Sequence, residues 1–174
     1  MTDEASLQRL LDGYEIRDLA QRYAVAITSR DLDAVVELFD PDVDNGRFGT
    51  GRDGVRAFYA NYFERNQRHA LLQVGTHQVD LIDATTATGV CFTRSWDVGP
   101  EVGPGSPRMD VMVVYFDTYR KQDGRWGFFH RRETLHDIVN GQPASGDGVP
   151  GMTKAWEYWD RWRERKASGH LFER

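Results

Sequence analysis

Apolar residues change their spacing near residue 70, and that change leaves few architectures open to the chain. Before it, apolar side chains recur at helical intervals. Ile16, Leu19, Tyr23 and Ile27, with Ala20 and Ala24 between them, predict a helix over 6–28. Leu32, Val35, Val36 and Phe39 predict a second helix, capped by Ser29 or Asp31 and ended near Pro41. Residues 40–54 are rich in Asp and Gly and read as a turn with a short strand around Val43–Phe48. Val55, Phe58, Tyr59, Tyr62 and Phe63 then predict a third helix that starts near Gly54. Beyond residue 70 the pattern is near-alternation, over 71–82, 86–98, 108–121 and 125–136. Asp83–Thr85 and Gln122–Gly124 supply the turns between neighbours. Helices followed by a run of strands define an α+β class, not a βαβ repeat.

Length and charge narrow the function classes. A chain of 174 residues suits one domain with a real core. Its formal charge is −5, with Lys and Arg scattered, so no basic stripe offers a nucleic-acid footprint. The start, MTDEASLQRL, is acidic and polar, unlike a secretion signal. No stretch approaches the ~20 apolar residues that span a bilayer. Cys91 is the one cysteine, so no internal disulfide can form. These features lead to the expectation of a cytoplasmic protein without membrane or nucleic-acid partners. Residues 140–151, NGQPASGDGVPG, read as a linker, and 152–166 as a helical tail whose Trp156, Trp159 and Trp162 share a face. The division expected is a domain at 1–139 and a linker with tail at 140–174. An open sheet face and a Trp-bearing tail both need cover, which predicts a homodimer or homotrimer.

Three tempting motifs fail on their context. Residues 49–54 spell GTGRDG, but no buried parallel strand precedes them, so they read as a turn into the third helix. His130 and His136, and His69 and His77, lack the spacing of a metal site. Cys91 sits in an apolar run, where a free thiol is a small hydrophobe.

Four segments carry a family likeness: EIRDLAQRYAVAITSRDLDAVVELFDPD, GRDGVRAFYANYF, LLQVGTHQVDLIDATTATGVCF and VYFDTYRKQDGRWGFFHRRET. Together they resemble the SnoaL-like branch of the nuclear-transport-factor-like cone folds over roughly residues 5–137. The resemblance implies helices packed on a strongly curved antiparallel sheet that encloses an apolar pocket. It implies no organic cofactor and a hydrophobic small-molecule substrate. The family's lyases use a strand His as general base and a helix Asp that orients it. Those positions fall on Gln73 and Thr28 here, and neither is a base at neutral pH. The family's strand Arg falls on Arg131, and Tyr23 lies where some members project a Tyr or Lys into the pocket.

His77, four residues beyond Gln73, shares its face on a regular strand and is the candidate relocated base, with Asp80, Asp44 or Thr28 as partner. Arg131 would bind an oxyanion or, in the plainer reading, pair with an acid such as Asp117, Asp110 or Glu133. Tyr23, Tyr115 and Tyr119 could each donate a phenol hydrogen bond. Thus His77, Arg131 and Tyr23 are the catalytic candidates; Gln73, Thr28, Tyr115 and Phe129 are the substrate-binding ones; no metal is expected. The expected activity is a cofactor-independent dehydration, double-bond isomerisation or cyclisation of a hydrophobic cyclic molecule. A non-catalytic binding protein, or a small β subunit of the ring-hydroxylating dioxygenase type, are the alternatives.

Overall fold

The computed structural model describes residues 4–46, 49–65, 69–98, 108–139 and 164. Three helices come first: α1 (Glu4–Ser29), α2 (Leu32–Glu37) and, after strand β1 (Phe39–Asp44), α3 (Arg52–Arg65). Four long strands follow: β2 (His69–Leu81), β3 (Thr86–Val98), β4 (Arg108–Gln122) and β5 (Arg125–Val139). They form one sheet in the order β1-β5-β4-β3-β2, antiparallel except for the parallel β1–β5 pair. The α+β class is therefore as predicted: helices pack on a curved, unclosed sheet. The predicted linker and tail helix fall, apart from Glu164, outside the described residues.

Local chemistry sets the helix ends. Asp31 caps α2 by accepting from the Ala34 N–H at 3.0 Å. Phe39 departs from its predicted place in that helix. It opens β1 opposite Phe128, where its ring centroid lies 5.3 Å from that of Phe128 and 6.0 Å from that of Tyr59. Pro41, which cannot extend the helix, sits two residues later inside the strand. The strand predicted at Val43–Phe48 thus begins earlier, at Phe39.

The core fills the space between helices and sheet. Ile16, Leu19, Tyr23 and Ile27 of α1 and Val55, Tyr59 and Phe63 of α3 meet Tyr115, Tyr119 and Phe128 of the sheet. Two polar ties fix the frame. Asp12 of α1 accepts from Trp126 Nε1 at 2.9 Å and from Lys121 Nζ at 2.7 Å, which fastens the β4–β5 hairpin to the helix. Arg120 pairs with the buried Asp40 and with Asp42 of β1. No described helix is long and apolar enough to cross a membrane.

Two β-bulges decide which side chains reach the helix-covered face. In β2, Val74 opposes Thr93 but His77 opposes Cys91, so Gly75 and Thr76 together face the single residue Phe92. In β5, Phe128 opposes Tyr119 and His130 opposes Thr118, so Phe129 is the extra residue. Each bulge shifts the alternation by one and sends the following residues to the other face.

Candidate functional site

Alternation along β4 places Tyr115, Asp117 and Tyr119 on the inner face, all three buried. After its bulge β5 brings Arg131 directly opposite Asp117 and Glu133 opposite Tyr115. After its own bulge β2 brings His77 to the same face, beside Cys91. The result is one hydrogen-bonded chain across three strands. Arg131 donates from Nε to Asp117 Oδ1 and from Nη2 to Asp117 Oδ2, both at 2.8 Å. Tyr119 donates its hydroxyl to Asp117 Oδ2 at 3.0 Å. His77 Nε2 lies 2.9 Å from the Tyr119 oxygen.

Proton counting orients this chain. Tyr119 has one hydroxyl hydrogen and gives it to Asp117, so its oxygen accepts from His77. Nε2 then carries the ring hydrogen, and Nδ1 presents a bare lone pair. Burial pushes His77 down to about 4, against the pull of Asp117 and with help from Arg131 and Arg17, so the ring is neutral at pH 7. Burial alone would lower Arg131 as well, but the Asp117 carboxylate more than offsets it. Tyr119 is held well above an ordinary phenol by burial and by Asp117, which keeps it a donor.

Aromatic faces enclose the cation. The Arg131 guanidinium carbon lies 4.4 Å from the ring centroid of Tyr23, 4.1 Å from Tyr115 and 3.9 Å from Phe128. Tyr23 shares a hydrogen bond of 2.9 Å with Tyr59. Two buried nitrogens, at opposite ends of the chain, have no hydrogen-bond partner among the described residues: His77 Nδ1 and Arg131 Nη1. Each such group costs about 1–3 kcal/mol.

Several predicted residues stand elsewhere. His77, Arg131, Tyr23 and Tyr115 come together. Gln73 does not join them: the Gly75–Thr76 bulge breaks the regular strand, so Gln73 points to the opposite face from His77 and is exposed. Thr28 Oγ1 accepts the Leu72 N–H at 3.1 Å, tying α1 to β2. Phe129 lies on the outer side, 4.4 Å from the Arg120 guanidinium carbon, because the bulge gives the inner place to Phe128. The partner of His77 is Tyr119, not Asp80, Asp44 or Thr28. Asp80 instead accepts from Gln78, and Asp44 sits 3.7 Å from His130. The Asp117–Tyr119 relay is not among the expectations from sequence, though strict alternation through Tyr115, Asp117 and Tyr119 signals it.

Gly89 leaves room for the relay. A Cβ there would lie 2.7 Å from the Gln78 carbonyl oxygen, 3.1 Å from the Tyr119 ring and 3.2 Å from His77 Nε2. Gly89→Ala is expected to cost about 1–3 kcal/mol by overpacking, read as a lower urea midpoint. A cleft of about 620 Å³ lies elsewhere, between Tyr14 and Arg22 of α1, Arg52, and the β4–β5 turn; none of the relay residues lines it.

Helices laid on an unclosed curved sheet, with a polar chain on the covered face, define a cone-fold protein of the nuclear-transport-factor type. The chain belongs to the SnoaL-like family: the SnoaL-like domain profile matches residues 8–132. Similar solved structures include a hexachlorocyclohexane dehydrochlorinase (LinA) type 2, at 16% identity and TM-score 0.66, covering 82% of this chain and 99% of that one. LinA-type3 from Novosphingobium barchaimii LL02 gives 18% identity and TM-score 0.67 over 83% and 98%. A protein of unknown function from Mycobacterium tuberculosis gives 17% and 0.62 over 90% and 92%. At these identities the likeness shows the fold. No curated protein matches the sequence.

Proposed function

We propose that this protein is a cofactor-independent lyase or isomerase that moves a carbon-bound proton on a hydrophobic cyclic molecule. One observation carries the reading: the relay ends in a bare acceptor, His77 Nδ1, and an unused donor, Arg131 Nη1, both buried. Proton abstraction beside a carbonyl needs that pair, a base for the C–H and a donor for the oxygen that gains charge. His77 takes the proton at Nδ1. Its Nε2–H stays on Tyr119, whose hydroxyl stays on Asp117, so the imidazolium faces a carboxylate through one phenol. Arg131, fixed by two bonds to Asp117 and three aromatic faces, offers Nη1 to the oxyanion. Tyr23 and Tyr115 form the apolar wall beside it. Family relatives that are dehydrochlorinases support this class of chemistry.

The relay restores, through Tyr119, the function of the helix Asp and strand His that Thr28 and Gln73 replace. Their absence also favours a second reading, a binding protein that holds a small apolar ligand without turnover. A panel of hydrophobic cyclic ketones and β-hydroxy ketones separates the two. Product formation together with ligand-induced melting shifts is the expected result. Melting shifts without product across the panel would establish the binding protein instead.

A further inference from the structure

Helix α1 is apolar on two sides. Ile16, Leu19, Ala20 and Tyr23 face the core. Leu7, Leu10, Leu11 and Tyr14 recur at i, i+3, i+4 and i+7, which turns them to the other side of the helix. They stay 51%, 68%, 46% and 69% exposed. Every residue from Glu4 to Leu11 is exposed, so these first two turns project beyond the β4–β5 hairpin that Asp12 fastens. A helix with two opposed apolar faces calls for cover on both, and a contiguous exposed stripe marks a docking surface.

We infer that residues 152–166 of the same chain are that cover: a helix laid antiparallel on α1, with Trp156 over Tyr14, Trp159 over Leu10 and Leu11, and Trp162 over Leu7. The two stripes match in pitch, since the tryptophans step by three residues along one helix face. Direction follows from where the chain leaves the sheet. Trp126 and Tyr14 line the same cleft, and β5 runs away from them to Val139. That stretch of strand measures roughly 43 Å at ~3.3 Å per residue. The chain from Val139 to Trp156 extends to about 58 Å. It therefore reaches Tyr14 first and then runs out toward Leu7. Charge agrees with this register. Lys154, Arg161, Arg163, Arg165 and Lys166 outnumber the three acids of 152–166, and the antiparallel course brings Arg163 and Lys166 beside Glu4, the acid in the first turn of α1. The helix dipoles oppose each other favourably. Glu164, the one described residue of the tail, is helical and exposed, as a position on the face away from the tryptophans requires.

Cys91 is buried, so a pair of introduced cysteines reads the contact without interference. Glu4→Cys combined with Lys166→Cys leaves both apolar stripes intact. Mild oxidation of the full chain carrying both is expected to give an intramolecular disulfide, seen as a monomer that migrates faster without reductant. Val25→Cys combined with Lys166→Cys is expected to give none, because Val25, though exposed, lies about 31 Å further along α1. A disulfide-linked dimer from the first pair assigns the stripe to the tail of a second copy, and no disulfide removes the contact. Either result overturns docking within one chain. Leu11→Glu, at a half-exposed site outside the core, is expected to speed tryptic cleavage at Arg161, Arg163 and Arg165 at least about tenfold, by freeing the tail. An unchanged cleavage rate overturns the inference as well.

Discussion

Replacing Arg131 by methionine is expected to lower the free energy of unfolding by about 3–5 kcal/mol. The Arg131 side chain is 7% exposed and that of Asp117 is 0% exposed. Removing the cation leaves the Asp117 carboxylate in the interior with the Tyr119 hydroxyl as a hydrogen-bond donor but without its counter-charge. The loss comes from the stranded charge more than from the vanished attraction, since a buried pair is worth little against a well-packed apolar replacement. A double variant, Arg131→Met with Asp117→Leu, should therefore regain part of the stability lost by the single change. Urea unfolding followed by circular dichroism gives both numbers. A single-variant loss below about 1 kcal/mol would mean that the pair is not buried as described. A double variant less stable than the single one would mean that packing, not stranded charge, dominates.

Replacing His77 by alanine is expected to reduce turnover of any substrate by about 100-fold or more, the range that a positioned base contributes. The pH dependence gives a sharper signature. Activity requires the neutral ring, so the ascending limb of kcat/KM should lie near the depressed value of about 4, not near 6.5. Stability carries the same sign. The folded protein resists protonating His77, whereas the unfolded chain accepts a proton near 6.5, so stability falls as pH drops from about 6.5 to 4 and levels off below. His77→Ala should flatten that part of the stability profile. Unchanged turnover in the variant would remove His77 from the chemistry.

How much of this was legible in the sequence depends on periodicity. Stripes such as Ile16, Leu19, Tyr23 and Ile27 placed α1 within a few residues, because burial on one helix face leaves a pattern that no other element shares. The four strands were equally plain from alternation. The site was less so, because a bulge leaves almost no local mark. Gln73 and His77 share a face on an even strand; one extra residue at Gly75–Thr76 separates them. The same shift in β5 exchanged Phe129 for Phe128. Arg131 was identified with both of its readings open, oxyanion donor and partner of Asp117, and the structure shows the ion pair while leaving Nη1 unpaired. The relay through Tyr119 stayed hidden because it joins β2 to β4 across β3, a contact between residues 42 apart.

The chain of hydrogen bonds also constrains substitution at Tyr119. A phenylalanine there would leave His77 Nε2 without its acceptor and Asp117 without one of its donors. The ring would lose its tautomer preference, and Nδ1 would no longer be held bare.

The relay depends on that tautomer, and nitrogen-15 NMR of the His77 imidazole reads it directly. A hydrogen is expected on Nε2, none on Nδ1 throughout the neutral range, with a titration midpoint near 4. A hydrogen found on Nδ1, or a ring that titrates near 6.5 as a free histidine does, would contradict it.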